Sequence, residues 1–334
     1  MRSVISREVR LASGVRSHRD APGFELVSTE LPALREGQIL VRNVYMSVDA
    51  YMQRRFGGAG SAIPAFRAGE PLEGSAVGEV IDSAVAGFTP GDPVTSMCGW
   101  REYFISSPSR VRRVDPRIQP LSAYLDVLGT TGLAAWAAFH LAEARAGEHV
   151  FVSAAAGAVG SVIGQLARLE GCYVVGAARS GNSAHMLVHE LGFDAALDGE
   201  TAQLAGELEE AFPGGIDVYF DNVGGARLEP VLAAMRDHGR LVSCGSLSAF
   251  DEPAQLRSSY NRELFSAKQL TMKGFLVSDW LSLAPLFQKT VSAHLLAGRM
   301  RVQEAALEGI ERAPEAFDAL ERDESLGKVI VKLA

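Results

Sequence analysis

Cysteine is scarce in this sequence. Three residues among 334, Cys98, Cys172 and Cys244, are too few and too scattered for a disulfide framework or a Cys-rich zinc site, which fits a reducing, cytoplasmic setting. No apolar run approaches the roughly 20 residues needed to span a bilayer. The segment Met1 to Arg10 mixes Arg and Glu into its few apolar residues and lacks the apolar centre of a secretory signal. Positive charge is in deficit, with 32 Lys and Arg against 40 Asp and Glu, and it is scattered along the chain. Neither nucleic acid nor an anionic membrane is therefore an expected partner. The seven histidines show no ligand spacing, Glu73 has no His beside it in Pro71 to Ser75, and no Ser-His-Asp or paired-carboxylate constellation is readable. Asp221, next to Asn222, is expected to end a strand and cap the turn through Gly224 and Gly225.

What is present is a chain that is 47% hydrophobic, enough for a sizeable core and, at this length, two domains. From Arg7 to about Val114, short alternating segments such as Gln38 to Val44 and Gly74 to Ile81 are punctuated by Gly and Pro, the pattern of a twisted β-domain. After about Ser122, strands alternate with amphipathic helices, the signature of a parallel sheet with crossover helices. Buried strands are predicted over His149 to Ser153, Tyr173 to Ala177, Ile216 to Phe220 and Arg240 to Cys244. Val159, Val162, Ile163, Leu166 and Leu169 follow helical spacing, with Gly171 where a C-cap belongs. Lys328 to Leu333 reads as a strand returning to the first domain. The expected fold is thus α/β, a doubly wound Rossmann sheet over residues 122–292 inserted into a β-rich substrate domain, 1–121 plus 293–334.

The predicted strand at His149 runs into Ala154-Ala-Ala-Gly-Ala-Val-Gly160 and directly into a helix. Read as Ala155-x-Gly157-x-x-Gly160, this is the dinucleotide fingerprint with Ala in the first glycine place. Gly157 lets backbone approach a pyrophosphate, Gly160 lets helix and strand pack closely, and the helix start at Ala158 and Val159 offers amide donors and a favourable dipole. About twenty residues on, where an NAD site carries an acid for the ribose, the sequence has Ala178-Arg179-Ser180. Arg179 and Ser180 suit a 2′-phosphate, so NADP(H) is expected over NAD, the alternative being a solvated loop arginine.

A set of stretches, in order, carries a resemblance across nearly the whole chain: Val44-Tyr-Met-Ser-Val-Asp-Ala-Tyr-Met52, Gly91 to Tyr103, Leu128-Gly-Thr-Thr-Gly-Leu133, Val152 to Gly160, Asp217 to Gly225, Cys244-Gly-Ser-Leu-Ser248 and Lys273-Gly-Phe-Leu-Val277. The sequence resembles the zinc-free medium-chain dehydrogenases/reductases that include prostaglandin reductases, 2-alkenal reductases and curcumin reductase. That resemblance implies a GroES-like first domain and NADPH-dependent reduction of the carbon-carbon double bond of α,β-unsaturated aldehydes or ketones. It also implies a homodimer formed through the nucleotide-domain sheet and the segment around Phe265 to Val277. By matched position, Gly157, Ala158, Val159 and Gly160 hold the pyrophosphate and Asn222 contacts the cofactor. Cys244, Gly245, Phe275, Leu276 and Val277 lie along the nicotinamide half.

The departures from the family pattern fall at the site. Ser183 stands where members carry a Lys for the 2′-phosphate, Gly199 where they carry a Tyr, and Ser325 where they carry an Asn. Ala50 and Gln53 replace a Pro and an Arg beside the retained Tyr51. The motif that begins Cys244-Gly245 reaches Phe250 where the family has a tyrosine credited with enolate stabilisation, leaving Tyr260 of the same segment as a candidate. Hydride added to the β-carbon of an enone sends negative charge to the carbonyl oxygen, which calls for a donor there. Tyr51 is the first candidate, against the alternative of a buried tyrosine satisfied by backbone. A quinone reductase and a non-catalytic NADPH-binding protein stand as alternative functions.

Overall fold

The alternating apolar residues of the first third close into sheet. The structure, a computed structural model, describes residues 4–13, 23–56, 64–199, 203–245, 262–321 and 326–334. Strands come first: β1 (Val4–Leu11), β2 (Phe24–Leu31), β3 (Ile39–Ser47), β4 (Ala76–Ser83), β5 (Pro93–Ser96), β6 (Tyr103–Ser106) and β7 (Val111–Arg113). Alternation with helices follows, through α1 (Thr130–Ala142), β8 (His149–Val152), α2 (Ala158–Glu170), β9 (Tyr173–Ala177), α3 (Gly181–His185), β10 (Ala195–Leu197), α4 (Leu204–Ala211), β11 (Ile216–Asp221), α5 (Leu228–Ala234), β12 (Met235–Ser243), α6 (Arg262–Ala267), β13 (Thr271–Gly274) and α7 (Ala284–Leu296). The chain closes with β14 (Glu304–Glu308), α8 (Ala313–Glu321) and β15 (Lys328–Lys332).

Two compact units result, Met1–Leu125 with Glu304–Ala334, and Asp126–Gln303. The boundary expected at 292 falls inside α7, whose buried Ala284, Phe287 and Val291 lie in the second unit, so that unit runs on to Gln303. The boundary expected at 121 moves likewise, because Leu121–Leu125 forms one short helical turn and Leu125 packs with Val77 and Ile330 of the first unit.

In the first unit, β1 and β2 pair as an antiparallel ribbon, and a larger sheet runs in the order β14-β15-β3-β4-β5-β7, with β6 pairing β3. The final strand therefore seats beside β3, as an antiparallel neighbour with Ile330 opposite Ser47. The alternation of Lys328-Val-Ile-Val-Lys332 drives this, since Val329 and Val331 join Met46, Val48, Met52, Trp100 and Phe317 in one core.

In the second unit every strand pairing is parallel and the order is β10-β9-β8-β11-β12-β13. Counted from β8, this is 3-2-1-4-5-6, the order of dinucleotide-binding sheets. After His149, β8 is apolar throughout, Val150 to Val152, because helices cover both faces of such a sheet. α2 buries Val162, Ile163, Leu166 and Ala167, the larger of these contributing about 1.5–3 kcal/mol each, and stops at Gly171, whose φ of 91° closes the helix in a left-handed cap. β12 starts at Met235, five residues before the expected start at Arg240, because the polar Arg236, Asp237 and His238 conceal it.

Candidate functional site

Sheets of this order bind ligands at the point where the strand order reverses, here the carboxyl ends of β8 and β11. Those two ends are stapled together. Asn222 donates from Nδ2 to the Ser153 carbonyl at 2.7 Å and from its backbone N–H to Ser153 Oγ at 2.9 Å. Asp221 caps the turn that follows, its Oδ1 accepting from the N–H groups of Val223 at 3.1 Å and Gly224 at 2.8 Å and from the buried Tyr219 hydroxyl at 2.9 Å. Ser153, which no motif singles out, thus positions Asn222.

The turn after β8 places Gly157 at the N-cap of α2, with φ −79° and ψ 171°, and no side chain caps the helix. Ala158, Val159 and Gly160 form its first turn, where helix N–H groups have no intrahelical acceptor. The two glycines have different surroundings. A Cβ built on Gly160 would sit 2.5 Å from the Ala154 carbonyl oxygen and 2.8 Å from the Ala155 Cα, so this glycine exists for close packing of helix on strand. A Cβ on Gly157 would meet only the Ala154 oxygen, at 3.2 Å, and otherwise open space. Open space, uncapped donors and the positive end of a thirteen-residue helix fit a pyrophosphate. The strained residue of the turn is Ala154, at φ 44°, and not the aligned Ala155.

β9 ends at Ala177, and the exposed Arg179 and Ser180 follow. Ser180 caps α3, with its Oγ accepting from the Ser183 N–H at 3.2 Å while Ser183 Oγ accepts from the Ser180 N–H at 3.0 Å. Ser183, where the resemblance expects a lysine, is thereby buried in a capping box. Three other cations of this unit have protein partners of their own. Lys268 donates to the carbonyls of Ala233 and Met235, Arg240 to Glu148 and the Glu143 carbonyl, and Lys273 to Glu143 and the Leu141 carbonyl. No acid occupies the end of β9, so these residues fit a 2′-phosphate better than a bare ribose.

Cys244 and Gly245 follow β12, and Phe275, Leu276 and Val277 follow β13, all at the same carboxyl edge of the sheet. Burial, then the charge of Asp221, pushes the Cys244 thiol up, which favours its protonated form. Tyr260 and Ser325, like Phe250, lie outside the described residues.

Tyr51 belongs to the first unit, on the 3₁₀ turn Ala50–Arg55, its ring packed against the core around Met52 and Trp100. Its hydroxyl is buried and has no hydrogen-bond partner, backbone or side chain, among the described residues. Burial, then Asp49, raises its pKa well above that of an ordinary phenol, keeping the proton on oxygen. Among the described residues no three His, Cys, Asp or Glu side chains converge as a metal site. One histidine spacing escaped the sequence reading: His185 and His189, four apart on an exposed helical face, bring their ring centroids to 4.5 Å. No described helix is long and apolar enough to cross a membrane.

Comparison with known proteins agrees with this architecture. Residues 7–114 match the model of an N-terminal domain of oxidoreductase, and residues 158–292 match a zinc-binding dehydrogenase model. The chain is 38% identical to 2-alkenal reductase (NADP(+)-dependent) of Nicotiana tabacum over 89% of its length and 87% of that protein. It is 36% identical to prostaglandin reductase 1 of Rattus norvegicus over 92% of its length and 93% of that protein. The crystal structure of CurA in complex with NADPH from Vibrio vulnificus superposes with a TM-score of 0.88 at 30% identity, covering 98% of this chain and 99% of that one. A dinucleotide-type sheet, an uncapped helix start at its switch point and similarity over nine tenths of the length together identify the chain as a member of the zinc-free reductases of the medium-chain dehydrogenase/reductase family.

Proposed function

We propose that this chain is an NADPH-dependent reductase of the carbon-carbon double bond of α,β-unsaturated aldehydes or ketones, working without zinc. The observation that carries this reading is the similarity to 2-alkenal and prostaglandin reductases across both units of the chain. NADPH, when bound, supplies the hydride. The amides of Ala158, Val159 and Gly160 and the dipole of α2 hold its pyrophosphate, with Gly157 leaving the approach open. Arg179 and Ser180 hold the 2′-phosphate. Asn222, fixed by Ser153, and the ends of β12 and β13 at Cys244, Gly245, Phe275, Leu276 and Val277 line the other half of the cofactor.

Hydride transfer to the β-carbon of such a substrate would place negative charge on its carbonyl oxygen. Tyr51, with an unpartnered hydroxyl that retains its proton, donates a hydrogen bond to that oxygen, and solvent protonates the α-carbon. The protein assembles as a homodimer in the cytoplasm. The edge strand β13 and the turn after it expose Met272, Leu276, Leu281 and Leu283, an apolar margin that a second copy would cover.

The deciding experiment follows coenzyme oxidation with NADPH and NADH against 2-hexenal, a cyclic enone and a benzoquinone, with and without EDTA. Turnover of the first two with NADPH, unchanged by EDTA, is expected. Turnover of the quinone alone supports a quinone reductase, and no oxidation across the panel supports a non-catalytic NADPH-binding protein.

A further inference from the structure

The Tyr51 hydroxyl has no partner among the described residues, so nothing at its own end fixes where it points. Its position must come from the ring packing and from the start of the turn that carries it. That start is Asp49, in extended conformation at φ −127° and ψ 141°, whose carbonyl accepts from the Met52 N–H at 3.0 Å to close the first turn. Asp49 is held on both carboxylate oxygens. Ser47 Oγ donates to Oδ2 at 2.6 Å, and Lys328 Nζ donates to Oδ1 at 2.7 Å.

Lys328 is an unusual partner. Its side chain is 3% exposed, and its ammonium also donates to the Val48 carbonyl at 2.7 Å. A buried lysine is rare because desolvating the ammonium costs several kcal/mol, which a well-placed carboxylate and carbonyl must offset. The contact joins the first residue of β15 to the residue before the Tyr51 turn, 279 positions away in sequence. The Val48 N–H donates to the Val329 carbonyl at 3.1 Å beside it, so ion pair and backbone ladder lock the same spot.

We propose that Lys328 is a positioning residue for Tyr51, acting through Asp49 and Val48 to set the turn on which the substrate-facing hydroxyl stands. This rests on the reading of Tyr51 given above, and the test separates the two. The Lys328 ammonium is buried on Asp49 and the Val48 carbonyl, away from any bound molecule's reach. Its effect reaches the reaction only through the direction of the Tyr51 hydroxyl, so its removal should lower turnover and spare coenzyme affinity.

The experiment is a double-mutant cycle, with Lys328→Met, Tyr51→Phe and the pair assayed for kcat and KM with NADPH and 2-hexenal, and for NADPH affinity by fluorescence titration. Tyr51→Phe alone should lose turnover. Lys328→Met should lower kcat about tenfold in the parent and less than twofold in the Tyr51→Phe background, with NADPH affinity within twofold throughout, because the two residues act as one unit. Equal losses in both backgrounds, or weakened NADPH binding that accounts for the loss, would overturn the proposal while leaving Tyr51 in place. A Tyr51→Phe enzyme with full turnover would sink both. Should Lys328→Met fail to fold, Asp49→Asn keeps the shape and removes the charge, and the same cycle with it is decisive by the same criteria.

Discussion

The same substitution at two glycines three residues apart should have opposite consequences. Gly157→Val and Gly160→Val each add a branched side chain to the turn between β8 and α2. At Gly160 the new Cβ arrives 2.5 Å from a backbone oxygen and 2.8 Å from a backbone Cα, neither of which can swing away. Overpacking of this kind costs about 1–3 kcal/mol, and the backbone contacts put it at the upper end, about 2–3 kcal/mol. For a domain the size of the second unit, each kcal/mol lowers Tm by about 2–4 °C, so Gly160→Val should melt about 4–12 °C lower. At Gly157 the extended backbone accepts valine, and only one contact tightens, to 3.2 Å. Valine is a poorer N-cap than glycine, so a loss of about 1 kcal/mol, roughly 2–4 °C, is the ceiling there. The isopropyl group instead fills the space through which a phosphate reaches the helix amides. Loss of one charge-assisted contact, about 1.5–3 kcal/mol, weakens NADPH about ten- to a hundredfold. Differential scanning fluorimetry and NADPH fluorescence titration read the two effects separately. A folded Gly157→Val protein with parental NADPH affinity would refute the placement of the pyrophosphate, and a Gly160→Val protein with parental Tm would refute the packing argument.

Three further outcomes are expected. Arg179→Ala should weaken NADPH about ten- to a hundredfold and leave NADH unchanged, since an arginine-phosphate contact contributes about 1.5–3 kcal/mol; equal weakening of both coenzymes would show that Arg179 serves their shared half. Tyr51→Phe should lower kcat about a hundredfold or more, as loss of one oxyanion donor does, yet leave Tm equal or higher, because it removes a buried hydroxyl that has no partner among the described residues. A lower Tm would mean that the hydroxyl is satisfied in the fold. Burial raises the pKa of Glu304, against the opposing effects of the Ser122 hydroxyl and the Lys328 charge. A carboxyl raised in the folded state contributes stability that is full below the ordinary carboxylate range and lost as pH climbs to the raised value. Glu304→Gln should therefore melt above the parent near neutral pH and converge with it in mild acid, and a gap independent of pH would refute the assignment.

Local chemistry made much of the second unit legible in the sequence. A parallel strand covered on both faces reads as an apolar run, a surface helix as a 3.6-residue stripe, and a strand-to-helix turn that must admit phosphate as glycines at fixed spacing. β8, α2, Gly171 and the fingerprint were visible for those reasons. β12 was legible only from Arg240 onward, since before that point only Met235 has a partner on β11 and Arg236 to Gly239 fall in the break of register between them, where no alternating apolar pattern marks a strand.

Tertiary structure alone decided the rest. The boundary of the second unit depends on where α7 packs, which a helical pattern does not state. Ser183 reads as a missing lysine in sequence and as half of a capping box in the fold. Most of all, nothing local distinguishes Lys328, Asp49 and Tyr51 from an ordinary strand lysine, a loop acid and a core tyrosine. The burial of Lys328 and its pairing with Asp49 across 279 residues arise only when β15 is laid beside β3. Sequence specifies a secondary structure wherever neighbours in the chain carry the interaction, and it falls silent on charges whose partners the fold supplies from far away.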